Sequence, residues 1–317
     1  MADLIWRRLA QMVLIMASAS LLLFAIFDTE QFRKQIAVAE LGGFGAAALS
    51  EGDYQAWIAK KGLDAPFVER YLSWAGNMLQ GDMGFSMEKN TEVAGLIASR
   101  LHATGTLAFY FFLLMVPISL TLGVIAGMRE GSWIDRAISI AAVTTTSIPQ
   151  IATAVLLTVF LSLGLGWFSA KSSAIGPITF AELALPVLTL LIYDVGYVTR
   201  MTRAAMVEVM SSHYIRTAVL KGLPRATVIW RHALRNALIV PVTLIFLQLN
   251  WLLSHIVVVE VFFQYSGFGR MLYEAAIYGD IEVVQAATMV AVIVAVLSQL
   301  LSDIAYILLN PRLRVAR

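Results

Sequence analysis

Six stretches of this sequence, residues 9–27, 104–128, 137–168, 183–199, 237–259 and 283–309, contain no Lys, Arg or Glu and at most one Asp each. A hydrocarbon core of about 30 Å takes roughly 20 helical residues to cross, at about 1.5 Å per residue. Inside lipid no water is available to the backbone, so only a helix or a closed barrel satisfies its hydrogen bonds. Barrel strands alternate in polarity over about ten residues. These runs are continuous and longer, and they predict six transmembrane helices in an all-α, polytopic membrane protein.

Composition agrees. A soluble domain is about 25% charged; here 14% of the 317 residues are charged and 59% are hydrophobic, with a mean hydropathy of +0.77. Cysteine is absent, which excludes disulfides, thiolate chemistry and Cys-ligated metals. The four histidines (His102, His213, His232 and His255) never fall at the i, i+4 spacing of a helical zinc site. No lysine follows a glycine, so the chain has no phosphate loop and is not itself an ATPase. No Ser/His/Asp grouping is suggested, and no cofactor is expected on this chain. The first apolar run is read as an uncleaved anchor, because Asp28-Thr29-Glu30 follows it without a small-x-small cleavage pattern.

Positive charge is distributed unevenly. Arg7 and Arg8 precede the first run, Arg129 and Arg136 flank the second turn, and Arg312, Arg314 and Arg317 end the chain. Between Arg200 and Arg235 seven Arg or Lys accompany one acid, Glu208. The short loops of the opposite side carry only Lys171 and Arg270. The positive-inside rule then puts both termini and residues 200–236 in the cytoplasm. Residues 29–100 lie outside as an insertion within one permeating domain, 1–317. There Asp64 is expected to cap a turn carrying Pro66, and Phe67, Tyr71 and Trp74 form one apolar helical face, reading as a small cap packed on the helix ends, the alternative being a dedicated binding domain.

The basic stretch reads "SSHYIRTAVLKGLPRATVIWRHALRNALIVP" from Ser211. Helical spacing aligns Ile215, Ala218, Val219 and Gly222 on one side, with Arg216 and Lys221 beside them. Gly222 ends that helix with positive φ, and Pro224 starts the next. On residues alone two readings stand: a docking helix whose small residues admit another protein, or an interfacial helix whose cations bind anionic headgroups.

From Tyr214 to Pro241 this stretch resembles the cytoplasmic loop of permease subunits in bacterial ABC importers of the dipeptide/oligopeptide/nickel group. Arg216-Thr217-Ala218 occupies the Glu-Ala-Ala part of the importer motif, Gly222 is its glycine, and His232-Ala233-Leu234-Arg235 stands where other importers have Ile-x-Leu-Pro. "GLDAPFVERYLSWAGNMLQGDMGFSM" from Gly62 resembles the external segment of the first of the two permeases. "VEVFFQYSGFGRML" from Val259 resembles the segment after helix five, with Glu260, Gly267 and Gly269 in register and Ser266 where proline is usual. "NPRLR" from Asn310 is similar to the terminal Asp-Pro-Arg-x-Arg. Two departures stand out. The usual Pro-Gly-Asp-Pro after helix one is missing and residues 29–50 do not follow the family pattern; helix five has Asn250-Trp251 and Ser254-His255 where the family is glycine-rich.

The resemblance implies a six-helix importer fold in the bacterial inner membrane. It also implies a second homologous permease, two ATPase subunits that bind ATP and Mg, and an external binding protein delivering peptides, nickel chelates, glutathione or similar solutes. No nucleic acid is expected as a partner. Tyr214, Arg216, Thr217, Ala218, Lys221, Gly222, Leu223, His232 and Arg235 become the residues expected to couple to the ATPase. Two rivals are a proton-coupled carrier working alone through Asp194 or Asp303, and a membrane-anchored interaction protein. No internal repeat supports the carrier.

Within the membrane, polar residues must face protein or water. Asp194 is expected to pair with Arg200 or Arg203, and Asp303 to make a packing or inter-subunit contact. Ile148-Pro149-Gln150 is expected to kink helix three. On helix five Gln248 and His255 share one face, and Asn250 and Ser254 a neighbouring one. One of these faces is a candidate lining of the solute pathway, the alternative being inter-helix hydrogen bonding.

Overall fold

The computed structural model describes residues 2–41, 50–170 and 179–309. Lys171, the 310–314 tail motif, Arg317 and part of the 29–50 segment lie outside the described residues, as does the side chain of Asn250. The chain divides into two compact units, Met1–Ala103 with Gly267–Leu297, and Thr104–Ser266 with Ser298–Arg317.

In the first unit, the apolar part of α1 (Ala2–Phe27) is mostly exposed within the chain, as a lipid-facing helix is. Its C-terminal end is pinned by aromatic rings. Phe24 lies 5.5 Å from Phe67, 5.7 Å from Tyr71 and 5.5 Å from Trp74, so the expected apolar face of α4 (Phe67–Leu79) covers the tip of α1. Asp28 then receives Arg33 at 2.7 Å and Arg70 at 2.6 Å. Between them α2 (Glu30–Leu41) and α3 (Glu51–Lys61) enclose a small core of Ala37, Tyr54 and Trp57. Ser50 caps α3, and Gly62 closes it at φ 65.

The expected cap by Asp64 does not form. The residue before α4 is Pro66, with no side-chain cap bond, since the proline itself sets the backbone direction. A short antiparallel hairpin, β1 (Phe85–Ser86) and β2 (Thr91–Glu92), leads into α5 (Val93–Met128). The hairpin is anchored when Phe85 N–H donates to Glu282 at 2.6 Å and Ser86 donates to Asp280 at 2.5 Å. The first turns of α5 pack on α13 (Phe268–Tyr278) and the start of α14 (Ile281–Leu309) through Val93, Ile97, Phe268, Met271 and Ala286.

The second unit is organised around α8 (Phe180–Met210), which is buried along most of its apolar window. α8 runs past the apolar 183–199 run, so Arg200 and Arg203 continue its helix. α6 (Trp133–Ser147) and α7 (Gln150–Leu157) meet at 102°. Extended Ile148 and Pro149 make that break, as the Ile-Pro-Gln triplet predicts. A straight 137–168 helix would be about 48 Å long, against a core of about 30 Å; the bend shortens it. Beyond α7 the chain winds as a π-helix over Thr158–Gly164.

Close packing on α8 uses glycine at two places. Gly123 and Gly127, four apart on α5, leave no room for a Cβ against Thr202 and Met206. This is the small-xxx-small spacing that lets membrane helices touch backbone to backbone. Gly196 meets α6 at Ala142 and Thr145 in the same way.

Among the described residues four single helices are long and apolar enough to cross a membrane. Two bent pairs, Trp133–Ser147 with Gln150–Gly164 and Arg225–Ala237 with Ile239–Leu249, bring the spans to six when each pair is one crossing.

Candidate functional site

The basic segment folds as α9 (His213–Leu220), a turn, α10 (Arg225–Thr227), a π-helical stretch Val228–Ala233 and α11 (Leu234–Ala237). The chain then enters α12 (Ile239–Phe262). Ile215 and Ala218 face inward. They pack with Met206 of α8, Val228 and Ile229 of the π stretch, and Leu234 and Ala237 of α11. Asn236 donates to the Tyr214 hydroxyl at 3.0 Å, a second tie between α9 and α11.

The turn after α9 depends on one residue. Gly222 has φ +77, and a Cβ there would meet open space. Its glycine is therefore required by backbone conformation and not by crowding inside the chain. Gly222 N–H donates to Val219 carbonyl at 2.9 Å and Leu223 N–H to Ala218 carbonyl at 3.4 Å, satisfying the carbonyls at the helix end.

One expectation from spacing is corrected. Val219 does not share the inner side with Ile215 and Ala218; it is 58% exposed, and Leu220 is 79% exposed. The inner side of so short a helix is set by α8 and α11, which leaves room for only two side chains. Tyr214, Arg216, Thr217, Lys221, Gly222, Leu223 and Arg235 are also exposed, Ala218 is buried, and His232 is half-buried. Among the described residues Arg216, Lys221, Arg225, Arg231 and Arg235 make no ion pair. The outer face of α9 thus presents exposed Val219 and Leu220 on the same short helix as exposed Arg216.

Deeper in the span, Asp194 takes a different partner from the one expected. It accepts a hydrogen bond from Gln248 of α12 at 2.6 Å. Arg203 instead reaches Asp135 at the start of α6, donating from Nη2 at 2.8 Å and from Nε as well. His255 stands edge-on to Tyr193, with ring centres 6.1 Å apart. Gln248 and His255 therefore share a stripe of α12 that meets α8. Trp251 and Ser254 are exposed. Asp303 accepts from Gln299 at 3.3 Å, one turn earlier on α14.

Sequence reading missed two acids. Asp135 is 3% exposed; besides Arg203 it accepts from Gly131 N–H at 2.9 Å, while its own N–H donates to Ser132 at 3.2 Å. Ser132 three residues before it, at the end of a loop, was the available signal. Glu260 was noted only as in register with the resembled segment. It is fully buried and accepts from the Thr104 hydroxyl.

Residues 119–315 match the family described as binding-protein-dependent transport system inner membrane component. The oligopeptide transport system permease protein AppB of Bacillus subtilis (strain 168) is 34% identical over 272 residues, 84% of this chain and 86% of that protein. A putative peptide transport system permease protein of Brucella abortus (strain 2308) is 32% identical over 322 residues, 99% of each chain. The glutathione transport system permease protein GsiC of Escherichia coli O6:H1 is 35% identical, covering 80% of this chain and 81% of its own.

Proposed function

This chain belongs to the family of inner membrane components of binding-protein-dependent transport systems, and from that premise we propose that it carries peptide-like solutes inward and receives its energy through α9. It is an all-α, multi-pass permease subunit of the inner membrane. The solute class follows from the relatives, whose named solutes are oligopeptides, peptides and glutathione. The partners are a second permease, an external binding protein and two ATPase subunits that hold ATP and Mg; no cofactor resides on this chain. Both termini and α9 face the cytoplasm, in keeping with the charge distribution. No observation favours a proton-coupled carrier or a purely lipid-anchored protein.

The observation that carries the coupling role is the build of α9. Its inner side is locked to α8 and α11 by Ile215 and Ala218, so a push on its tip moves helices that enter the membrane. Its outer side leaves Val219 and Leu220 exposed. Burying a Leu side chain contributes about 1.5–3 kcal/mol, and about 1.4 kcal/mol is a tenfold change in affinity. Leu220→Glu in the reconstituted complex is therefore expected to lower ATPase co-purification and solute-stimulated ATP hydrolysis at least tenfold. Gly222→Val, strained at positive φ, is expected to uncouple hydrolysis from transport. Wild-type coupling in both variants would remove α9 from the role.

A further inference from the structure

We propose that the second unit holds an anionic phospholipid in a cavity between the end of α5 and the α10–α11 segment. The cavity measures about 420 Å³ and is floored by Val124, Met128, Ile229 and Leu234. Its rim carries Arg129 and Arg225, and Trp230 stands beside them, 76% exposed. Among the described residues no acidic side chain lines it. Among the described residues neither arginine makes an ion pair.

Two features select the occupant. Arg129 directly follows the apolar helix that ends at Met128, and Arg225 opens the bent pair that ends at Leu249. Both guanidinium groups thus mark span ends, the level at which headgroups lie and at which Trp is enriched. Basic pockets between helices at such a boundary suit anionic headgroups, and arginine meets a phosphate through two parallel hydrogen bonds. The floor is also continuous with an exposed stripe of α5: Tyr110, Leu114, Pro117 and Thr121 lead at spacings of four and three into Val124 and Met128. An amphiphile with a phosphate at one end and an acyl chain at the other matches every side chain lining the cavity. A docking protein would have to supply both an acid and an apolar ridge.

The site also touches the candidate coupling segment. Ile229 and Leu234 line the cavity and belong to the core that seats Ile215 and Ala218. A bound lipid would brace the π-helical stretch behind α9, so its headgroup type would influence how firmly α9 is held.

The test is native mass spectrometry of the intact complex released from nanodiscs of phosphatidylglycerol or of phosphatidylcholine. Wild type is expected to retain phosphatidylglycerol in preference to phosphatidylcholine. The double variant Arg129→Gln/Arg225→Gln, altering exposed side chains only, is expected to retain at least tenfold less phosphatidylglycerol. Arg136→Gln, an exposed cation outside the cavity, is expected to match wild type. Equal retention of the two lipids, or unchanged retention in the double variant, would overturn the proposal. So would a double variant that keeps its lipid but loses its ATPase subunits, since the cavity would then be a protein-docking surface. Retention is read without nucleotide or solute, so a failed coupling experiment leaves this result independent.

Discussion

Arg203 of α8 grips Asp135 of α6 with two nitrogens, and Asp135 is 3% exposed. This pair, together with the Gly131 N–H at 2.9 Å, fastens the α5–α6 turn to the helix at the centre of the second unit. Hydrogen bonds to charged groups contribute about 1.5–3 kcal/mol each when one partner is removed. Asp135→Ala is expected to lower unfolding free energy in detergent by at least that amount. Ser139→Ala, which removes a longer 3.3 Å bond to the same carboxylate, should cost less than about 1 kcal/mol. Equal thermal stability of Asp135→Ala and wild type would show the pair to be idle.

The Gln248–Asp194 bond of 2.6 Å joins α12 to α8 where both are buried. Gln248→Leu strips Asp194 of that donor and is expected to destabilise by about 1–3 kcal/mol. Adding Asp194→Leu removes the stranded polar group and should restore much of the loss, a non-additivity that a double-mutant cycle measures. Additive losses would mean that the two side chains do not depend on each other. Solute uptake by the double variant then separates scaffold from pathway: restored stability with lost uptake assigns the stripe to the solute.

The proposed orientation can be read by labelling, because the native chain has no cysteine. Glu130→Cys, in the exposed α5–α6 turn, is expected to be protected from an impermeant reagent added outside intact cells. Glu69→Cys, exposed on α4, is expected to react. The reverse pattern would invert the topology.

What was legible in the sequence is whatever one segment decides by itself. Continuous apolar runs announce spans, Pro149 announces a break, and Gly222 announces a turn that ends a helix. The face made by Phe67, Tyr71 and Trp74 could be drawn from spacing because α4 is long enough for a period to show. The partner of Asp194 could not be drawn. Arg200 and Arg203 are its neighbours along the chain, but the side of α8 it occupies meets α12, and only packing brings Gln248 there. The exposure of Val219 was hidden for a similar reason, since a helix of 8 residues has its inner face chosen by the elements it rests on. The spacing of Gly123 and Gly127 was passed over as a contact signal, and their partners, Thr202 and Met206, lie on a helix far along the chain.

The π-helical stretch from Val228 to Ala233 carries one residue more per turn than an α-helix would. Each such surplus residue turns everything after it by about 100° about the axis. Counting threes and fours from Trp230 into α12 therefore loses phase, first in this stretch and again at the 42° break between Ala237 and Ile239. Among homologous chains the gain or loss of a single residue here would swing the stripe that holds Gln248 and His255 to a new neighbour while leaving each helix intact. Length variation within 228–233, more than any substitution, is thus the direct route by which α12 could be given a different neighbour.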